Sequence, residues 1–202
     1  MTRLLIKNVG QIKHAELSFG DLTILVGSQA SGKSIALQFL KLLVDAGYVQ
    51  SELGRYGLDW SGDLHDFFDI YFGEGMRAIW RENESAIEWE GTSVNMAKLI
   101  SRRRRNKVES LFYIPAQRVL TLRDGWPRPF TDYASGDPFA VREFSEKLRI
   151  LVEQEFTGSV RLFPQERRLK SVFRKLLQRS LFLELGRQRK GRFFKIPDEA
   201  KL

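Results

Sequence analysis

The stretch that decides the fold is Gly27-Ser28-Gln29-Ala30-Ser31-Gly32-Lys33-Ser34, which fits the pattern G-x-x-x-x-G-K-[ST] at every constrained position. Residues 22–26 precede it as a short apolar run with a single threonine, as in a strand covered on both faces. Apolar residues recur at helical intervals from Lys33 to Ala46, and Gly47 is placed to end that helix. We therefore predict a buried central strand, a tight loop and a helix, in that order.

The residue types in this loop suit the binding of phosphate groups. Glycines let the backbone curl until successive N–H groups point at an anion, and a helix N terminus adds its unsatisfied N–H groups and its dipole. Lys33 is expected to extend over the β- and γ-phosphates, and the Ser34 hydroxyl to coordinate magnesium. We predict ATP and Mg2+ as ligands, held by Gly27, Ser28, Gln29, Ala30, Ser31, Gly32, Lys33, Ser34 and Ile35. The alternative is a glycine-rich turn that only joins a strand to a helix.

Apolar periodicity predicts further elements on both sides of the loop. Strands at 3–9 and 15–19 lead into it, whereas residues 48–75 lack a clear period and are predicted as a surface segment. The later predictions are a hairpin from 78–81 and 86–89, helices at 94–104, 141–154 and 165–185, and strands at 111–114 and 192–196. We divide the chain into a P-loop core at 1–50, an inserted surface lobe at 51–107, and a region with a strand and a helical lobe at 108–202.

Composition narrows the class of protein. The chain has 202 residues, no cysteine and two histidines, His14 and His65, so a disulfide framework and a structural zinc site are excluded. No window reaches the roughly 18 apolar residues of a membrane-spanning helix, and no secretory leader is evident, so a cytoplasmic protein without a membrane partner is expected. The formal net charge of +8 favours an anionic partner such as nucleic acid, or an acidic partner protein.

The residues around the loop carry a family resemblance. Arg3-Leu4-Leu5-Ile6-Lys7-Asn8-Val9, Ala15-Glu16-Leu17-Ser18-Phe19 and the run from Leu22 into the loop resemble the entry to the ABC-type ATPase head. That head is shared by RecF, the structural-maintenance-of-chromosomes proteins and the overcoming-lysogenization-defect nucleases with their AAA-labelled relatives. The resemblance covers residues 3–45. It departs at Ser28-Gln29-Ala30, where many relatives have Pro-Asn-Gly, a difference expected to affect loop shape rather than phosphate binding.

A second resemblance concerns the segment Phe112-Tyr113-Ile114-Pro115-Ala116-Gln117-Arg118. It is similar to the strand and turn that follow the inserted lobe in the branch containing the overcoming-lysogenization-defect nucleases. In such heads a glutamine at this place, the Q-loop, contacts magnesium and the attacking water. The resemblance therefore implies Gln117 as a catalytic and magnesium-binding candidate beside Lys33. A polar residue at a strand end, without such a role, is the equal alternative.

Two parts of an ABC-type head are not convincing in this sequence, the signature segment and the acidic Walker B strand. Tyr133-Ala134-Ser135-Gly136-Asp137 is only superficially similar to a signature, and Leu181-Phe182-Leu183-Glu184 lies within a helical pattern. We therefore expect an N-terminal part of a longer ATPase. Because phosphoryl transfer depends on positioning and charge neutralisation, such a part should bind ATP and hydrolyse it very poorly alone.

Two dense cationic runs are candidates for binding nucleic acid. Arginine forks grip phosphate oxygens in pairs, so these runs are suited to a nucleic-acid backbone. The residues are Arg102, Arg103, Arg104 and Arg105 in the first run, and Arg187, Arg189 and Lys190 in the second. Solvated helix ends and turns are the alternative reading of both runs.

These observations combine into one expectation. The fold is expected to be α/β, a P-loop ABC-ATPase-like half-head with a mixed β-sheet and an inserted helical lobe. The expected function is ATP binding and, in the complete protein, ATP hydrolysis by a homodimer or larger assembly around nucleotide, acting in DNA repair or defence against phage. The alternatives are a self-contained P-loop kinase or GTPase, and a non-catalytic nucleotide-sensing module that binds DNA.

Overall fold

The computed structural model describes residues 2–101, 108–116, 121–123 and 126–157. Its main sheet has four strands in the order β2-β1-β3-β4, and every pairing in it is antiparallel. These strands are β1 (Thr2–Val9), β2 (Ile12–Phe19), β3 (Ala86–Trp89) and β4 (Thr92–Ser93). A separate ribbon joins β5 (Leu122–Arg123) to β6 (Trp126–Pro127). All the described pairings are antiparallel. The parallel pairings that a mixed sheet requires therefore remain a prediction.

The described residues also form four α-helices. They are α1 (Lys33–Arg55), α2 (Leu64–Phe72), α3 (Met96–Ser101) and α4 (Phe139–Thr157), with short 3-10 turns at Met76–Ile79 and Phe130–Asp132. The predicted strands at 3–9 and 15–19 and the helices at 94–104 and 141–154 agree with β1, β2, α3 and α4 in kind, with shifted ends. The predicted helix at 165–185 and strand at 192–196 lie outside the described residues.

Burial of alternate β1 side chains and of one face of α1 forms the core. Leu4 and Ile6 of β1 are fully buried, as are Phe39 and Val49 of α1. A strand exposes every second side chain to the same face, and a helix every third or fourth, so the two patterns meet along one apolar layer. The sheet therefore fixes the direction of the helix that follows the glycine-rich loop at 27–34.

Residues 48–75, predicted as a surface segment, contribute to the core instead. The Asp63 carboxylate accepts a hydrogen bond from the Asp66 N–H and so caps α2. The helix then buries Phe67, Phe68, Tyr71 and Phe72, and Phe72 lies with its ring centroid 4.8 Å from that of Phe39. The prediction was wrong because aromatic residues at positions i, i+1, i+4 and i+5 form a buried helical face despite the surrounding glycines and aspartates.

Three other predicted elements differ in the structure. The first helix does not end at Gly47, which is buried within α1; the helix has only a kink at Asp45 (φ −117°, ψ 28°) and continues to Arg55. The hairpin joins β3 to β4, and residues 76–79 form a 3-10 turn rather than its first strand. Residues 111–114 form no strand among the described residues and run along α1. In each case tertiary contacts outweigh the local pattern.

A group of five charged residues links α1, residues 108–116 and α4; we call it the charged cluster and define it as Lys41, Asp45, Glu109, Glu143 and Lys147. Lys41 is 1% exposed, and its ammonium donates to Asp45 (2.7 Å), to Glu109 (2.7 Å) and to the Leu111 carbonyl (2.6 Å). An ammonium has three donors, so all its hydrogen-bonding capacity is used. Lys147 pairs with Glu109 and Glu143 from the other side.

Asp45 connects this cluster to the backbone. Its two carboxylate oxygens accept from the N–H groups of Ser110 and Leu111, both at 2.9 Å. Burial raises the pKa of the Glu143 carboxyl, and burial with neighbouring carboxylates also raises the pKa of the Tyr48 hydroxyl, which bonds Glu143. Charged groups buried in this way stabilise a fold only if each retains its partner.

None of the described helices is long and apolar enough to cross a membrane.

The Asp45 carboxylate is expected to be necessary for stability. Asp45→Ala removes one partner of a buried ion pair and leaves two backbone N–H groups without an acceptor, so the free energy of unfolding should fall by about 3–5 kcal/mol. Asp59→Ala, which removes an exposed carboxylate that accepts from the Ser61 N–H, is the matched control. Urea unfolding measures both, and a loss at Asp45 no larger than at Asp59 would contradict the structural role of the cluster.

Candidate functional site

The segment that enters the glycine-rich motif at 27–34 differs from its prediction. Residues 22–26 form no strand in either described sheet, and Leu22, Ile24 and Val26 are 82%, 74% and 90% exposed. The prediction of a buried central strand is therefore wrong for the described part of the chain. Burial on both faces needs neighbouring strands and covering helices, and among the described residues β2 pairs only with β1.

The motif itself is a tight turn that leads directly into α1. Ala30 (φ +59°) and Gly32 (φ +88°) both adopt left-handed backbone conformations. Gly32 is the N-cap of α1, and its carbonyl accepts the first helical hydrogen bond, from the Ala36 N–H at 2.9 Å. No side chain caps this helix end within the described residues. Its first N–H groups can therefore bond an external anion.

Gly32 is also the point where the loop meets the turn between β1 and β2. A Cβ atom placed on Gly32 would lie 2.9 Å from the Cδ1 atom of Ile12, closer still to its Cγ1 atom, and 3.6 Å from the Cγ atom of Gln11. Ile12 is buried and cannot move aside easily. Glycine is therefore required here for two separate reasons, the positive φ and the close approach of β2.

Lys33 lies folded over the motif. Its ammonium donates to the carbonyls of Gly27 (2.8 Å) and Ser28 (2.6 Å) and to the Ser31 hydroxyl (3.0 Å). A Cβ atom on Gly27 would lie 3.2 Å from that hydroxyl and 3.8 Å from the ammonium, so the first glycine also keeps the interior of the loop open. A positive charge thus lies at the centre of a backbone loop that is itself on the surface.

The remaining predicted contacts fall on opposite sides of α1. Ser34 is exposed at the start of the helix, where its hydroxyl is accessible to a metal ion, whereas Ile35 is 8% exposed and packs into the core. Ile35 can therefore contribute only its backbone N–H. Ser28, Gln29 and Ser31 are exposed along the loop.

The residues present fit a magnesium–nucleoside triphosphate. A left-handed turn, an uncapped helix N terminus and one ammonium match a polyphosphate in shape and charge. Magnesium bound in this way needs few protein ligands, since phosphate oxygens and waters supply most of its six positions, and Ser34 offers one hydroxyl. Among the described residues no group of three or more histidine, aspartate and glutamate side chains could hold a metal ion without such a ligand.

Residues 108–116 lie along the middle of α1. The N–H groups of Ser110 and Leu111 donate to Asp45, the Leu111 carbonyl accepts from Lys41, and Tyr113 lies beside Gln38. From Ser110 to Tyr113 the neighbouring residues on α1 change from Asp45 through Lys41 to Gln38, and the longer Glu109 side chain also reaches Lys41. The segment therefore runs antiparallel to α1, in the direction of Lys33.

Other predicted site residues cannot be placed. Gln117 and Arg118 lie outside the described residues, as do the basic runs with Arg102, Arg103, Arg104, Arg105, Arg187, Arg189 and Lys190, and the segment 181–184. The described end of the segment before Gln117 is Ala116.

The signature-like segment 133–137 is described, and it is a packed turn. Buried Arg142 donates from Nε to the Asp137 carbonyl at 2.8 Å and from Nη2 to the Ser135 carbonyl. The Gly136 carbonyl accepts from the Glu74 N–H at 2.8 Å. These contacts account for the segment as a structural element of this chain.

Two sets of residues near the site were not predicted. The β1–β2 turn with Gln11 and Ile12 lies against the loop, and only tertiary structure brings it there. The sequence could have indicated Lys41 and Asp45 as a buried ion pair, because they are four residues apart on the otherwise apolar face of α1.

Comparisons of the chain with protein families, with curated proteins and with solved structures gave no match. The assignment of this site therefore depends on the geometry of residues 27–35.

Replacement of an alanine by glycine usually destabilises a protein, but at Ala30, which has a left-handed conformation, we expect it to stabilise the chain. Ala30→Gly should raise the free energy of unfolding by about 0.5–1 kcal/mol, since relief of the left-handed strain exceeds the entropy cost of glycine. The same substitution at Ala36, inside α1, should lower it by about 1 kcal/mol. Urea denaturation of both variants is the measurement, and equal effects would show that Ala30 is not strained.

Gly32 should tolerate no side chain. Gly32→Ala is expected to lower the free energy of unfolding by about 2 kcal/mol or more, since it adds a clash with Ile12 to the cost of the positive φ. Gly57→Ala is a matched control, because Gly57 also has a positive φ (+70°) but has nothing within 4 Å of its Cβ position. Thermal or urea unfolding that shows the same loss at both glycines would argue against the close contact between the loop and β2.

Proposed function

We propose that this chain binds a magnesium–nucleoside triphosphate, most simply ATP, in the loop formed by residues 27–34. The observation that supports it is the position of the Lys33 ammonium, held over a turn that contains the two left-handed residues Ala30 and Gly32. A loop that only joined two elements would need neither a lysine folded inward nor an uncapped helix start. The sequence motif and the geometry of the loop both support the proposal.

Binding would exchange one set of partners of Lys33 for another. Its ammonium is bonded to two carbonyls and one hydroxyl, all of them neutral acceptors. Phosphate oxygens carry negative charge, so they attract the ammonium more strongly than neutral carbonyl and hydroxyl oxygens do, and the exchange favours the ligand. The loop N–H groups and the α1 dipole add to the attraction, and the Ser34 hydroxyl contributes one ligand to the magnesium ion.

Hydrolysis would need groups beyond this loop. Within the described residues, the hydrogen bonds and ion pairs of Lys33 involve no carboxylate, so no acidic metal ligand or general base lies against it there. We propose that the chain binds nucleotide, and that turnover would require acidic residues that supply a metal ligand and a general base at this loop. Positioning and charge neutralisation supply most of the catalysis in phosphoryl transfer.

The cellular role is proposed from the resemblance to ABC-type heads of the RecF and structural-maintenance-of-chromosomes group. A homodimer or larger assembly around nucleotide, acting on DNA in repair or in defence against phage, is the role that this resemblance implies. The net charge of +8 supports an anionic partner of this kind. A kinase or GTPase with a complete site, and a nucleotide-sensing module without catalysis, remain the competing proposals.

Removal of the Lys33 ammonium tests the proposal directly. Lys33→Ala should weaken binding of Mg·ATP about a hundredfold, because charge-assisted hydrogen bonds contribute about 1.5–3 kcal/mol each and 1.4 kcal/mol is a factor of ten. Isothermal titration calorimetry measures the affinity. Lys13→Ala, which removes an exposed lysine from β2, is the control and should leave the affinity unchanged.

The choice of ligands separates the alternatives. Titration with ATP, GTP and inorganic tripolyphosphate shows whether the base contributes, and a preference for GTP would favour the GTPase alternative. If wild-type protein bound none of the three, the proposed nucleotide site would be wrong. Affinity of Lys33→Ala equal to that of wild type would place the bound nucleotide elsewhere on the chain.

A further inference from the structure

The segment 110–116 is held to α1 by polar contacts at its first two residues. Asp45 accepts from the N–H groups of Ser110 and Leu111 at 2.9 Å, and Lys41 donates to the Leu111 carbonyl at 2.6 Å. Further along the segment, Tyr113 lies beside Gln38 of α1. Backbone groups accept and donate these bonds at defined positions. A shift of the segment by one residue would leave Asp45 and Lys41 buried without their partners, so these contacts define a register.

Glu109 maintains that register from the start of the segment. Its carboxylate accepts from Lys41 of α1 at 2.7 Å and from Lys147 of α4 at 2.5 Å. Lys147 also bonds Glu143 at 2.8 Å, and its ammonium lies 5.0 Å from the ring centroid of Phe112. One carboxylate therefore joins α1 and α4 to the chain between them.

The segment runs along α1 towards the loop at 27–34. Gln38 lies one helical turn after Ser34, which is about 6 Å along the axis at 1.5 Å per residue. The three residues from Tyr113 to Ala116 can span at most about 10 Å when extended. The chain that leaves Tyr113 is therefore within reach of the helix end that begins the proposed phosphate site.

We propose that the charged cluster is a positioning device that holds residues 110–116 in register along α1, so that this segment responds when the loop at 27–34 is occupied. Lys41, Asp45 and Glu109 are its positioning residues, and Lys147 and Glu143 support Glu109 from α4. The inference rests on the proposed nucleotide site, whose occupancy is the signal. None of these five residues needs to touch the ligand.

Glu109→Gln tests the positioning role while it retains a hydrogen-bond acceptor of the same shape. Hydrogen exchange followed by mass spectrometry on the full chain reports on the peptide over 108–116 with and without Mg·ATP. In wild type, Mg·ATP should slow exchange in this peptide. In Glu109→Gln, exchange without nucleotide should be about tenfold faster, and the nucleotide-induced slowing should be lost.

Two further variants separate positioning from stability. Glu84→Gln removes an exposed carboxylate that pairs with Arg81 at 3.2 Å, and it should behave as wild type in both states. Glu109→Asp retains the negative charge and should restore part of the response to nucleotide. Unfolding in urea identifies any variant that has lost its fold. If Glu109→Gln is unfolded, Glu109→Asp is compared with wild type instead.

The outcomes are distinct. Wild type that binds Mg·ATP in calorimetry, but shows no change of exchange over 108–116, would overturn the positioning role and leave the nucleotide site intact. An unchanged response in Glu109→Gln would overturn it equally. Absence of Mg·ATP binding by wild type in calorimetry would mark failure of the proposed function itself, and the inference would fall with it.

Discussion

The structure depends on the anchoring of α1, because the glycine-rich loop at 27–34 leads directly into the first turn of that helix. Its buried face, with Phe39, Leu42, Ala46 and Val49, packs against β1 and the aromatic residues of α2. A loop with two left-handed residues has little stability of its own. It keeps its shape because α1 and the β1–β2 turn are both fixed by the core, and Ile12 then limits the space at Gly32.

The second half of α1 is fixed by charge rather than by apolar contact alone. The kink at Asp45 directs a carboxylate to the N–H groups of residues 110 and 111, and Lys41 fills the space between them. Burial of such groups costs solvation, and only a complete set of partners offsets that cost. The N terminus of α1 has no side-chain cap within the described residues. Its middle part, at Lys41 and Asp45, holds residues 109–111. This arrangement makes α1 a physical connection between the loop and residues 108–116.

Three apolar side chains, those of Leu22, Ile24 and Val26, lie outside the core that the described residues form. Alternate apolar side chains with more than two thirds of their surface exposed are unusual beside a well-packed sheet. The continuous apolar run to which these residues belong led to the prediction of a strand buried on both faces, which the described residues do not form. The hydrophobic pattern indicates that a segment is suited to burial. Whether the segment is buried depends on neighbouring elements that are distant in sequence.

The sequence by itself determined the loop, the start of α1, the strands β1 and β2, and the placement of Lys33 and Ser34, because these follow from local spacing and from the special conformations of glycine. It did not reveal the aromatic helix α2, the continuation of α1 through Gly47, the pairing of β3 with β1, or the contact of Ile12 with Gly32. Only the tertiary structure decided these, since each depends on residues distant in sequence. The charged cluster shows the reason most clearly: Lys41 and Glu109 are 68 residues apart, and nothing local to either one indicates the other as its partner.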